Sequence, residues 1–201
     1  MKLYHFPPAP NAAKVLFYLR EKGISDIELL TVNFLEGEHR SATHLVRSPR
    51  GTVPVLELDD GTYLRESLPI MEYLEECYTG AEFPCLIGED PTRRAQVRSM
   101  ERYIELNVFA RWVRLVHATN SPIGLPAKPA LADNEREQVK GPLAYVNELI
   151  GEGPFVVGKV PSIADCTLLA GINFMRFGGL SIDPDMQNVH AWYERFALRH
   201  L

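Results

Sequence analysis

Several short segments carry residue types that could do chemistry. Glu66-Ser67 precedes Ile70, Leu74, Cys77 and Tyr78, which share one helical face, so the pair marks a helix start. The first N–H groups of a helix lack intrahelical partners and lie at the positive end of its dipole, which makes such a start an anion site. Ser67 would add a hydroxyl there. The same pair is also explained by Ser67 as N-cap with Glu66 as a favourable charge near the dipole. Asn11 opens a second helical pattern, Ala12, Val15, Leu16 and Leu19, where by itself it reads as an N-cap. Pro54, in Val53-Pro54, has no N–H for a ladder and belongs at a strand start or edge. Ser162 and Asp165 have the spacing of a capping box, with Ser162 as N-cap and Asp165 at N3, a structural device worth about 1 kcal/mol.

Other chemistries find no support in the residues. Cys77, Cys85 and Cys166 form no CxxC, no zinc spacing and no even disulfide framework, so no metal is expected and a reducing, cytoplasmic compartment is. The opening MKLYHFPPAP lacks a basic and then apolar leader, and no apolar run reaches membrane-spanning length, so neither export nor a membrane is expected. A formal net charge of -5 gives no electrostatic reason for a nucleic-acid partner, which leaves small molecules as the expected ligands. A chain of 201 residues can bury roughly 70% of its unfolded surface and needs no staple.

The elements that must position these residues fall into two textures. Lys2 to His5 and Glu28 to Val32 read as strands around the first helix, which Gly23 ends. A polar stretch, Glu36 to Ser48, carries at most a brief helix around His44 to Val46. Val55 to Leu58 and Thr62 to Leu64 flank Asp59, Asp60 and Gly61, a hairpin signal, and Ser67 opens the next helix. The order is β-α-β, a connection, then β-β-α. From Thr79 the chain becomes rich in Gly, Pro and acidic residues, which sets a first domain at 1–78, a linker at 79–90 and a helical domain at 91–201. There, Val97, Met100, Ile104, Val108, Trp112 and Leu115 trace one long helix, about Pro91 to Ala118. Another runs through Val139, Leu143, Val146 and Ile150, with Gly141 and Pro142 expected to kink or restart it. Ser162 to about Phe174 and Asn188 to Leu198 complete the set. The fold class is therefore α/β plus all-α.

The segment SPRGTVPVLELDDGTYLRESLPIMEYLEE, Ser48 to Glu76, resembles the heart of the thioredoxin-like domain of cytosolic glutathione transferases. PNAAKVLFYLREKG and PSIADCTLLAG are similar to that family's first helix and helical-domain capping motif, so the likeness spans nearly the whole chain. Within the family the opening PAPN most resembles the bacterial nu class, where PTPN is typical. The resemblance implies a thioredoxin-like domain followed by a helical bundle, with glutathione as co-substrate and a small hydrophobic electrophile or a disulfide as second substrate. It also implies a homodimer that pairs the first domain of one subunit with the helical domain of the other, Glu101 or Glu105 then reaching the partner's ligand.

What the resemblance implies for single residues follows the motifs. The Val53-Pro54 peptide would be cis, with the main chain of Val53 pairing to glutathione like an added strand. Glu66 would meet the γ-glutamyl ammonium and Ser67 the carboxylate. His39, in GEHRSATHL, is similar to a theta-class histidine that contacts the glycine carboxylate; a loop histidine with no role is the plain alternative. Thr52 replaces the lysine of many members, and Arg40 or Arg50 could compensate. Thiol activation departs from the pattern: Ala9 has no hydroxyl and Pro10 no N–H, which leaves Asn11 as the donor. Lowering a thiol pKa by two units requires about 2.7 kcal/mol, and a hydrogen bond to a charged group supplies roughly 1.5–3 kcal/mol. Tyr103, Arg111, Trp112 and Arg114 could line a second-substrate cleft or belong to core or dimer surface. The missing hydroxyl at position 9 also admits a non-catalytic binding or protein-interaction module on the same fold.

Overall fold

The computed structural model describes residues 1–151 and 153–200. Glu152 and Leu201, inside the expected helical domain, lie outside the described residues. The chain divides into two compact units, Met1–Pro84 and Cys85–Leu201.

The first unit is a four-stranded sheet, order β2-β1-β3-β4, with strands β1 (Lys2–His5), β2 (Glu28–Thr31), β3 (Val55–Glu57) and β4 (Tyr63–Arg65). β1 pairs parallel with β2 and antiparallel with β3, and β3 pairs antiparallel with β4. The parallel pair needs a crossover, which α1 (Pro10–Lys22) supplies. Gly23 ends α1 in the left-handed region at φ 76°, a conformation that costs glycine nothing. The polar connection holds a 3-10 turn, Glu38–Arg40, and α2 (Ala42–Arg47), capped by Ser41, whose hydroxyl accepts the His44 N–H at 3.2 Å. α3 (Ser67–Cys77) closes the unit. It packs on α1, with Val15 and Leu19 buried on one helix and Ile70 and Leu74 on the other, and buried polar contacts join the two. Lys22 Nζ donates to Glu75 at 2.9 Å and to the Pro84 carbonyl at 2.9 Å, and the Tyr18 hydroxyl donates to Glu75 at 3.2 Å. A buried charge is tolerable only when paired in this way.

The second unit is helical. α4 (Pro91–Ile104) is capped by Asp90, which accepts the Arg93 N–H at 2.9 Å. The expected single α-helix then loosens into a π-helical turn, Glu105–Phe109, before α5 (Ala110–Thr119) resumes. Val97, Ile104, Val108, Trp112 and Leu115 are all buried, so the turn keeps one apolar face inward over a length at which an ideal helix would drift. α6 (Pro129–Ile150) runs through Gly141 and Pro142 as one helix, so of the expected kink or restart the restart does not occur. Its buried row Ala132, Val139, Leu143, Val146 and Ile150 lies on both sides of the proline, and this shared anchorage holds the halves as one helix. α7 (Ile163–Phe177) is the core helix, nearly all of it buried, and α8 (Gln187–Ala197) packs Val189, Trp192 and Phe196 inward. Among the described residues no helix is long and apolar enough to cross a membrane.

Candidate functional site

Strand register fixes where the chemistry-bearing segments meet. His5 pairs with Thr31, Tyr4 with Val55, and Val55 with Arg65. The chain leaves β1 toward Asn11, leaves β2 toward His39, enters β3 from Val53-Pro54 and leaves β4 into Glu66-Ser67. All four connections therefore emerge at one end of the sheet. Packing agrees, since Val53 and Ala12 share a buried cluster with Tyr4, Val32 and Val55, against which Phe6, Ala9 and Phe34 pack.

The Val53-Pro54 peptide is cis. The β-ladder begins at Val55, and the main chain of Val53 makes no hydrogen bond among the described residues, so its N–H and C=O are available to an extended ligand. The segment before it is tied down from beneath. The Thr52 N–H donates to Ser48 Oγ at 3.0 Å, the two hydroxyls lie 3.1 Å apart, and His44 Nε2 is 3.1 Å from the Thr52 carbonyl. Both Ser48 and His44 are buried. Gly51 is required here: its φ is 65°, and a Cβ would stand 2.6 Å from the His39 carbonyl.

At α3 the N-cap is Glu66, not Ser67, which is the first helical residue. Glu66 has φ 68° and ψ 132° and makes no side-chain cap. Such a backbone costs a non-glycine residue about 1–3 kcal/mol and persists where the surroundings impose it. Among the described residues the Ser67 and Leu68 N–H groups and the Ser67 hydroxyl have no protein acceptor, Pro69 has no N–H, and the Ile70 N–H returns to the Glu66 carbonyl at 3.2 Å. The start of α3 thus presents two main-chain donors and one hydroxyl, with an exposed carboxylate beside them.

Asn11 is not an N-cap either. Ala9 holds that position, Pro10 and Asn11 are the first two residues of α1, and no side chain caps the helix. Asn11 is exposed, and its Oδ1 accepts from Lys14 Nζ at 2.9 Å. Other polar groups nearby are committed: the Tyr4 hydroxyl donates to Glu57 at 2.7 Å, with burial first and that bond second raising its pKa. His39 is half-buried rather than a bare loop residue. Its ring stacks on Phe34 at 4.2 Å, and Phe34 stacks on Phe6 at 5.2 Å. Burial, then the charges of Arg40 and His44, hold its pKa below the ordinary value. Arg40 donates to the Arg50 carbonyl at 3.4 Å.

The site residues lie on a fold that the whole chain shares with known proteins. Residues 3–82 match the family model for the glutathione S-transferase N-terminal domain, and residues 74–199 that for the C-terminal domain. The chain belongs to the glutathione S-transferase family. It is 32% identical, over 99% of its length and 86% of the relative, to glutathione S-transferase 2 of Saccharomyces cerevisiae. It is 31% identical to a maleylacetoacetate isomerase of Pseudomonas aeruginosa, over 91% of this chain and 85% of that one. The crystal structure of a glutathione S-transferase domain-containing protein from Marinobacter aquaeolei VT8 matches with a TM-score of 0.88 at 32% identity, covering 99% of this chain and 98% of that chain.

In this glutathione S-transferase family member several residues of the helical unit are already spoken for. Arg111 and Arg114 both hold Glu135, at 3.1 and 2.8 Å, and Trp112 is buried. Glu101 is 1% exposed and accepts from the Thr167 hydroxyl at 3.1 Å. A cavity of about 430 Å³ lined by Trp112, Leu143, Met175 and Ile182 also touches Arg136 and Lys140, whose charges are paired with Asp133 and Glu137. Ser162 and Asp165 form a reciprocal capping box at α7, with the Ser162 N–H and hydroxyl donating to Asp165 at 2.9 and 2.8 Å. Among the described residues no group of His, Cys, Asp and Glu could hold a metal ion. Sequence reasoning missed Lys14, His44 and Ser48, because a lysine in a helix and a serine and histidine in a polar loop read as solvent-facing until burial is known.

Proposed function

We propose that the chain is a glutathione-dependent transferase whose site is the row Asn11, Val53, Pro54, Glu66 and Ser67, with His39 at its edge. The observation that carries this reading is the convergence, at one end of one sheet, of donors that have no protein acceptor. The Ser67 and Leu68 N–H groups with the Ser67 hydroxyl suit a carboxylate, and the Glu66 carboxylate suits the ammonium beside it. The unladdered main chain of Val53 suits an extended peptide, and γ-glutamyl-cysteinyl-glycine has all three parts in that order. Glutathione supplies the thiol that attacks an electrophile or a disulfide. The chain's own residues bind and orient it, and the Asn11 amide donates to the sulfur so that the anion is favoured at neutral pH. A homodimer and a cytosolic, reducing location belong to the same reading. The free state of Cys77, Cys85 and Cys166 supports the latter, and sedimentation as a monomer at micromolar concentration would remove the former. The test of the site is a calorimetric titration with glutathione followed by the ultraviolet absorbance of thiolate in the complex. Binding with a thiolate signal at neutral pH is expected; absence of binding removes the reading, and binding without thiolate reduces the chain to a binder.

A further inference from the structure

α1 carries a lysine that the proposed reaction does not call for. Lys14 is 0% exposed, on a helix whose other buried residues include Ala12, Val15, Tyr18 and Leu19. Burying an amino group is costly and long side chains lose several rotors when held, so an inward lysine needs a compensating contact. Among the contacts of its ε-amino group is one to Asn11 Oδ1, to which it donates at 2.9 Å from the position three residues on, which is adjacent on a helix surface. Lysine has donors and no acceptor, so the Asn11 atom facing it must be the carbonyl oxygen, and the amide cannot flip while this bond holds. The NH₂ end is then the one left over, and among the described residues it donates to no protein acceptor. An exposed asparagine without such a bond would divide its time between rotamers that point the oxygen or the nitrogen outward. An outward oxygen would oppose a thiolate.

We propose that Lys14 is a positioning residue that holds the Asn11 amide with its N–H donors toward the glutathione sulfur. The proposal rests on Asn11 as the thiol's donor, so the experiment separates the two ideas. Glutathione complexes of the parent, Asn11→Ala, Lys14→Met, Lys14→Arg and the Asn11→Ala/Lys14→Met double variant are compared by thiolate absorbance against pH, by turnover and by thermal unfolding. Lys14→Met should raise the bound thiol's pKa and lower kcat roughly three- to tenfold, the weight of one freed side chain, with KM for glutathione little changed. Lys14→Arg, which also only donates, should recover part of the loss. In the Asn11→Ala background Lys14→Met should shift neither pKa nor kcat further, because its effect passes through Asn11. If Asn11→Ala alters the thiol but Lys14→Met leaves pKa and kcat at parent values, the positioning role falls and the Asn11 assignment survives. An equal effect of Lys14→Met in both backgrounds overturns positioning, since the lysine would then act without Asn11. An unchanged Asn11→Ala removes both ideas together. Should the Lys14 variants not fold, the Asn11 side-chain amide of the parent decides by its heteronuclear NOE: an ordered amide supports the proposal, and one as mobile as other exposed asparagine amides overturns it.

Discussion

Three helix starts in this chain show what it means for an N-terminus to be closed or left open. At α7, Asp165 is fully buried and takes four hydrogen bonds: from the Val156 N–H at 2.8 Å, the Ser162 N–H at 2.9 Å, the Ser162 hydroxyl at 2.8 Å and Trp192 Nε1 at 2.8 Å. It ties the loop before α7 and the face of α8 to one carboxyl group, and nothing is left over for a ligand. α1 and α3 have no side-chain cap, and the second begins at a residue forced to φ 68°. An uncapped start forgoes about 1 kcal/mol and a strained N-cap adds to that loss. The closed start is spent on stability, while the open ones leave donors for something outside the chain. The sequences SIAD, APN and ES each carry a residue able to cap a helix, so residue type alone does not separate the two uses; the partners of each polar atom do.

The largest effect that would test this contrast is at the closed start. Asp165→Ala strands three N–H groups and a hydroxyl in a buried site, a loss of about 3–5 kcal/mol by analogy with breaking a buried charged network. Chemical denaturation should show it, whereas glutathione affinity of whatever remains folded should be unaltered. A variant that unfolds within 1 kcal/mol of the parent would mean the network is ornamental. Ser67→Ala, at an open start, should behave in reverse. Affinity for glutathione should fall by roughly 1.5–3 kcal/mol, about 10- to 150-fold, from the lost bond to a charged group, with stability changed by less than about 0.5 kcal/mol. Equal affinity with a lower melting point would make Ser67 another structural residue.

Asn11 is expected to follow Ser67 in kind but to express itself in rate. Asn11→Ala should slow turnover by at least about tenfold, equivalent to about 1.4 kcal/mol of transition-state stabilisation. Asn11→Asp should be slower still, because a carboxylate beside a thiolate opposes it. Since Ala9 and not Asn11 is the N-cap, neither change removes a cap, but Asn11→Ala takes away the oxygen that accepts from buried Lys14 and should lower the melting point, whereas Asn11→Asp keeps that acceptor and should stay closer to the parent. Steady-state kinetics with a thermal scan checks both; full activity in Asn11→Asp would mean that another group activates the thiol.

Much of this arrangement is legible before folding. The hairpin at Asp59-Asp60-Gly61, the glycine that ends α1 and the S-x-x-D start of α7 follow from local chemistry, because each depends on residues within one turn. Local chemistry places the caps of α1 and α3 at Asn11 and Ser67, one or two residues beyond the observed Ala9 and Glu66, because asparagine and serine are favoured N-caps. The π-helical turn in the long helix and the uninterrupted α6 are tertiary outcomes, decided by which residues face the interior of the helical unit. The role of Lys14 is not legible in the sequence, because nothing in PNAAKV distinguishes a buried lysine from one in water. Its burial is a property of the elements packed around α1.

The smallest expected effect belongs to His39, where the contrast between open and closed is least sharp, because its ring is half-buried in a stack with Phe34 and yet near the open row. Burial chiefly, then Arg40 and His44, lower its pKa from 6.5. The folded chain therefore binds fewer protons at this residue than the unfolded chain between the lowered value and 6.5, and stability rises with pH across that window. His39 costs nothing above the unfolded value and destabilises as pH falls through the folded one. At neutral pH the ring is uncharged, so any bond it gives the glycine carboxylate is that of a neutral donor, about 0.5–1.5 kcal/mol, not of an ion pair. His39→Gln should accordingly weaken glutathione binding by only about two- to tenfold. Parent and variant affinities should run parallel from about pH 8 down to about pH 7, where the lowered pKa leaves the ring chiefly neutral. Calorimetry across that range decides the matter. If the parent's affinity climbs with acidity while the variant's stays flat, the ring binds as a cation, and the burial that lowers its pKa is relieved when the ligand arrives.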